Sequence, residues 1–192
     1  ILFPDGRDML VDGGPNDAVL TCLGKHMPFW DRRIDMVALT HPEKDHMQGL
    51  ISVLTRYDVS YVLRSDEGND SDGYRAFVHA QAKKNIPVKF LTAGDRVRVG
   101  STTLSFVWPS KAQMAKAKSV SASVASRVSV QDADVLGVVQ SETPPGNLNE
   151  YSLVFFLRYG SFDAFFPGDA DTRVEAGYRG IKLADDRVEV LK

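Results

Sequence analysis

Apolar positions along this chain fall into short runs whose spacing alternates between strand and helix. Met9-Leu10-Val11 predicts a short buried strand, closed by Asp12-Gly13-Gly14-Pro15, whose glycines open turn conformations denied to other residues. Ala18, Val19, Cys22 and Leu23 recur at helical spacing behind Asn16 or Asp17 as cap. Ile34 to Thr40 predicts a second strand, and its unbroken Met36-Val37-Ala38-Leu39 implies burial on both faces. Leu50, Val53, Leu54 and Tyr57 then mark a helix from near Asp45 to Asp58, and Tyr61-Val62-Leu63 a further strand. An acidic loop, Asp66 to Asp72, closes at Gly73 before a helix over about 74–84.

From Ile86 the pattern turns to short strands with tight turns: Val88 to Leu91, Arg96 to Val99 and Thr102 to Trp108. A stretch rich in Ser and Ala, about 111–146, lacks a sustained period and reads as an insertion that adds little to the core. Beyond it, Ser152 to Tyr159 and Phe162 to Phe166 predict a hairpin around Gly160-Ser161, ending at Pro167-Gly168-Asp169-Ala170. Strands with interspersed helices, in two runs, predict a single α/β domain over 1–192: two mixed sheets flanked by helices. The opening Ile1-Leu2-Phe3 and the alternating close Arg187 to Lys192 both read as strands cut short. The expectation is a piece of a longer protein, truncated at both ends.

Composition narrows the class. With 192 residues the chain is long enough for one domain with a sizeable core. Lys and Arg number 23 against 25 Asp and Glu, so the near-neutral charge gives no case for wrapping nucleic acid with a basic surface. Cys22 has no partner in the chain, which excludes an intrachain disulfide. No apolar run approaches the roughly 20 residues of a membrane helix, and none of the chain is expected to act as a signal peptide.

The densest chemical signal is His41-Pro42-Glu43-Lys44-Asp45-His46, four potential metal ligands within six residues. They follow a buried strand and open a helix. The turn can aim His41 and Glu43 at one point while Asp45 and His46 approach from the helix start, the grouping a two-metal site needs. Pro42 stiffens the turn. The plainer reading is a polar turn, with His46 in a helix cap and Asp45 serving the helix dipole.

With Asp12-Gly13-Gly14 before it and Gly168-Asp169-Ala170 after it, this stretch resembles the metallo-β-lactamase-fold hydrolases, whose signature is a strand followed by His-x-His-x-Asp-His. Pro28-Phe29-Trp30-Asp31-Arg32-Arg33-Ile34-Asp35, Leu39-Thr40-His41-Pro42, Gly49-Leu50, Asn149, Ser152-Leu153-Val154 and Phe166-Pro167-Gly168-Asp169 are similar to the C-terminal hydrolase domain of ComEC-type DNA-uptake proteins. The resemblance implies a metallo-β-lactamase-type αββα sandwich. It implies His41, Glu43, Asp45, His46 and Asp169 as metal ligands, with Asp45, His46 and Asp169 catalytic and Asp169 bridging two ions. Asp12 is expected to orient a ligand imidazole, or to serve as a turn carboxylate capping a helix. Asn149 and Ser152 are expected at the site's mouth or in a polar turn before a strand. Glu43 stands where the family carries a second His. That oxygen suits manganese or magnesium, although zinc accepts carboxylate too. A later family His has no counterpart, since no His follows Asp169.

The function implied is a metal-dependent phosphodiesterase or nuclease acting on DNA during competence-type uptake. The domain would be attached to a membrane channel and face outside the cytoplasm, or would lie in the cytoplasm if the hydrolase stands alone. Two other readings remain: a small-molecule metallo-hydrolase of the same fold, and a catalytically degenerate binding module beside the channel. Outside the signature, His26 reads as a surface residue, His79 as a partly exposed core-edge residue and Cys22 as a packing residue. Trp30 and Trp108 read as core or rim aromatics. Lys83, Lys84, Lys89, Arg96 and Arg98 form either a basic rim for phosphates or a solvated face.

Overall fold

The computed structural model describes residues 1–115, 147–178 and 188–191. Most of the expected insertion, and Arg187 and Lys192 of the closing strand, lie outside the described residues. Two sheets form the centre. In the first, β1 (Met9–Val11), β2 (Arg33–Leu39), β3 (Asp58–Arg64) and β4 (Val88–Phe90) lie in chain order and all run parallel. The intervening helices are α1 (Ala18–His26), α2 (Lys44–Arg56) and α3 (Asp72–Lys83). Parallel neighbours require a crossover, and a helix supplies it. In the second sheet β5 (Arg96–Val99), β6 (Thr102–Trp108), β7 (Val154–Tyr159) and β8 (Phe162–Phe166) are antiparallel, and β9 (Val190–Leu191) adds to β8 in parallel. The expected mixed pairing thus belongs to the second sheet, while the described part of the first is wholly parallel.

The uninterrupted apolar run of β2 serves two faces. Ile34, Val37 and Leu39 pack with Val53, Leu54 and Phe77 under the helices. Met36 and Ala38 turn to Leu104, Phe106, Phe155 and Phe166 of the second sheet, where Phe155 and Phe166 stack at 4.6 Å. On the outer face of the second sheet the short helix α4 (Thr172–Glu175) brings Val174 against Trp108 and Val154. Within the second sheet, β6 alternates buried and half-buried positions along its length.

Boundaries moved where tertiary pairing overrode local pattern. α2 stops at Arg56 rather than Asp58, because the Asp58 N–H donates to the Arg32 carbonyl and β3 begins there. β3 is longer than its apolar triplet, since it pairs with β2 from Arg33–Asp58 to Leu39–Arg64. Residues 152 and 153 leave the predicted β7. The Leu153 N–H donates to the Thr40 carbonyl at 2.7 Å, pinning this segment to the end of β2.

Candidate metal centre

The C-terminal ends of β1 and β2 lie side by side, which sets Asp12 against Thr40. β2 ends at Leu39 because the Thr40 N–H leaves the ladder and donates to Asp12 Oδ1 at 2.8 Å. Thr40 Oγ1 donates to the same carboxylate, 2.9 Å from Oδ2, and lies 3.1 Å from His41 Nδ1 and 3.3 Å from His46 Nδ1. Asp12 holds a positive φ of 58°, uncommon for a side-chain-bearing residue. The position is held by three partners: the Thr40 N–H, the Thr40 hydroxyl and the His46 ring.

His46 Nδ1 is paired with Asp12 Oδ2 at 2.9 Å, which turns its Nε2 away from Asp12. That Nε2 is 3.3 Å from Asp169 Oδ1 and 3.8 Å from Asp45 Oδ2. Burial alone would lower the His46 pKa, but the hydrogen bond and charge of Asp12, with Asp169 and Asp45, hold it above the usual value. His41 is pushed the other way, by burial first and the neighbouring His46 second. It is 1% exposed, and its ring centroid is 4.1 Å from that of His46.

Asp169 arrives from the opposite sheet, at the end of β8. Ser152, fully buried, joins the two sides: its Oγ accepts the Asp169 N–H at 3.1 Å and lies 3.4 Å from His41 Nδ1. Gly168 makes this approach possible. Its φ is +56°, and a Cβ there would stand 2.4 Å from Ser152 Oγ. The start of α2 is pressed equally close to the turn after β1, where a Cβ on Gly49 would meet the Gly13 carbonyl oxygen at 2.1 Å.

His41, His46 and Asp169 each offer one ligand atom, all within 4.8 Å of one another. These residues fit a metal ion. His41 Nε2 is buried without a hydrogen-bond partner, a costly arrangement for a polar atom that a cation would relieve. Two imidazoles and a carboxylate form a set used by zinc, iron and manganese. Of the five ligands implied by resemblance, the structure gathers these three. Asp45 stands at the edge with its side chain 63% exposed. Glu43 lies outside the group, on a cleft of about 480 Å³ bounded also by Lys44, Asp45, Asn69, Ser71 and Leu148. Burial, then Asp45 and Asp169, raise the Glu43 pKa.

The Asp12 carboxylate caps no helix; Asn16 Oδ1 receives the Ala18 N–H instead. Asn149 Oδ1 is buried without a partner. Cys22 is exposed rather than packed, since the face of α1 that meets α2 is formed by Val19, Leu20 and Leu23. His79 is exposed, on the outer side of α3, and His26 is exposed as expected. Lys83, Lys84, Lys89, Arg96 and Arg98 are exposed. Trp108 is buried and donates Nε1–H to the Glu150 carbonyl, whereas Trp30 stands out in solvent.

Pattern reasoning missed three participants. Thr40 passed as the last residue of a strand, and Gly168 as part of a turn. Glu67 passed as one charge of an acidic loop, yet it is 4% exposed and neither of its carboxylate oxygens has a hydrogen-bond partner. Burial pushes its pKa up to about 9 against the lowering charge of Arg64, so at neutral pH it is protonated. The loop is drawn in by Arg64, which donates to the Ser65 and Glu67 carbonyls, and by Asn69, which donates to the Pro42 carbonyl.

No family model matches this chain, and no curated protein matches it. Among solved structures, one similar in shape is the crystal structure of CmlA, a diiron beta-hydroxylase from Streptomyces venezuelae. It is 14% identical with a TM-score of 0.41, over 88% of this chain and 26% of that one. The chain thus spans about a quarter of that protein's length, and a likeness so distant assigns it neither family nor chemistry.

Proposed function

We propose that this chain is a metal-dependent hydrolase of the metallo-β-lactamase fold, and that it cleaves phosphodiester bonds of DNA like the ComEC-type domain it resembles. The observation that carries the reading is the convergence of His41, His46 and Asp169 within 4.8 Å, with the His41 Nε2 buried and unpartnered. A divalent ion bound there supplies Lewis acidity and an acidified water.

The protein's own residues supply the rest. Asp12 fixes the tautomer and tilt of His46, Thr40 ties Asp12 to both imidazoles, and Ser152 couples His41 to the Asp169 backbone. Glu43, Lys44 and Asp45 bound the adjoining cleft, where Lys44 is the cation among them available to a phosphate. Asp45, 3.8 Å from His46 Nε2, and Glu43, on the adjoining cleft, are the carboxylates this reading offers to a second metal. DNA as substrate, the membrane channel as neighbour and an extracytoplasmic location belong to this reading. No helix among the described residues is long and apolar enough to cross a membrane.

The test is metal stoichiometry together with cleavage of single- and double-stranded DNA under manganese, zinc and magnesium, with Asp45→Ala and His46→Ala as controls. Bound metal with DNA cleavage, both lost in His46→Ala, is the expected result. Metal binding with hydrolysis of small esters alone would replace the substrate. No bound metal and no hydrolysis would overturn the reading and leave a binding module.

A further inference from the structure

The end of the parallel sheet opposite the metal centre carries a feature the hydrolase reading does not use. Between α1 and β2, the Asp31 N–H donates to the Pro28 carbonyl at 2.9 Å, closing a turn whose two central residues are Phe29 and Trp30. These are 82% and 72% exposed, among the most exposed large apolar side chains of the described residues, and they touch edge to face at 4.8 Å. Turn centres are ordinarily Gly, Pro, Asn, Asp or Ser, so folding has no use for two aromatics there. Elements that run back from the site end in cations at this same pole. Lys25 closes α1, Arg56 closes α2 and Lys83 closes α3, while Arg32 and Arg33 lead into β2. Against these stand Asp8, Asp31 and Asp58, and two carboxylates paired with the cations themselves, Asp35 with Arg33 at 3.5 Å and Asp17 with Arg56 at 3.9 Å, so Lys25, Arg32 and Lys83 are the cations outside those two pairs.

We infer that the Phe29–Trp30 turn is a membrane-interface anchor that docks this pole on an anionic lipid surface. Aromatic side chains partition into the headgroup region, and nearby cations add attraction to anionic lipid. Single-stranded nucleic acid is the competing occupant, because exposed aromatics among cations also stack bases. The geometry disfavours it: the two rings stand at 85° to each other, whereas successive bases need near-parallel platforms. Insertion at an interface makes no such demand. The turn and the metal cluster lie at opposite ends of β2, so docking here leaves the cleft open to solvent.

The experiment is co-sedimentation of the whole chain with vesicles of equimolar phosphatidylglycerol and phosphatidylcholine, with phosphatidylcholine vesicles as reference and Trp emission recorded in parallel. Expected are binding to the anionic vesicles, weakened by salt, and a blue shift from Trp30, since Trp108 is already buried. The Phe29→Ser/Trp30→Ser variant should bind at least about tenfold more weakly and lose the shift, and Lys25→Glu should bind several-fold more weakly. Both variants alter exposed side chains, and an unchanged thermal transition verifies the fold. Absent binding to anionic vesicles, binding untouched by the double variant, or Trp30 quenching by a single-stranded oligonucleotide in place of lipid would each overturn the proposal. Metal content and hydrolysis are measured on the same samples, so failure of the anchor and failure of the hydrolase reading are separately visible.

Discussion

The two ends of the parallel sheet depart from ordinary burial in opposite directions. At the C-terminal end, Thr40, His41 and Ser152 are buried polar side chains converging from both sheets, and His41 leaves a nitrogen without a partner. At the N-terminal end, Phe29 and Trp30 are apolar side chains left in water. Burying an unpaired polar atom and exposing a large ring both work against folding, yet the strands between them are packed as a sheet buried on two faces should be. The contrast separates what stabilises this molecule from what it presents to other molecules. One end is preorganised by hydrogen bonds between side chains, and the other is held by a four-residue turn.

The largest effect should come from His46→Ala, which removes a ligand and the partner of Asp12. Metal affinity measured by competition with a chelator should fall more than about 100-fold, and an unchanged affinity would erase the distinction between the two ends. Gly49→Ala tests the backbone contact that holds the site end together. Alanine favours the helix by about 1 kcal/mol, but the Cβ collides with the Gly13 carbonyl, and a net loss of about 2 kcal/mol is expected in urea unfolding.

Ser152→Ala should lower metal affinity by about 10–100-fold while moving the thermal transition little, since its role is to align His41 and Asp169 rather than to fill space. Glu67 sharpens the contrast through pH. Its folded pKa of about 9 exceeds the unfolded carboxyl value, so folding takes up a proton between them, and stability falls as pH rises from the mid-fours toward 9. The contribution of this one group is at most about 1.4 kcal/mol per pH unit. Glu67→Gln should flatten the decline between pH 6 and pH 8 in denaturant titrations, and equal slopes in both proteins would refute it. The smallest effect belongs to Phe29→Ser, whose ring touches little but Trp30. Stability should change by no more than about 0.5 kcal/mol, whereas a large loss would place the ring in the fold's core rather than on its surface.

Much of the fold was legible along the chain because burial on both faces leaves unbroken apolar runs, as at Met36 to Leu39, and burial on one face leaves alternation, as in β6. The signature turn was legible because four potential ligands crowd into six residues. Less legible were positions whose neighbours are distant in sequence. Strand β3 began three residues early because β2 offered it partners, and Glu67 went inside because Arg64 and Asn69 drew its loop inward. Cys22 was misplaced because helical spacing defines a stripe without saying where the stripe's edge meets its neighbour.

The sequence by itself determined most of the strands and helices, the turn that follows β2, and the candidate chemistry of His41 and His46, since these rest on local periodicity and residue type, whereas Asp169 was implied by resemblance alone. Only the tertiary structure decided that Ser152 bridges His41 to Asp169, that Glu43 stands apart from the group, and that Phe29 and Trp30 face water. Those outcomes depend on where the two sheets meet, and contacts between residues as far apart as 41 and 152 are fixed by packing that no local pattern encodes.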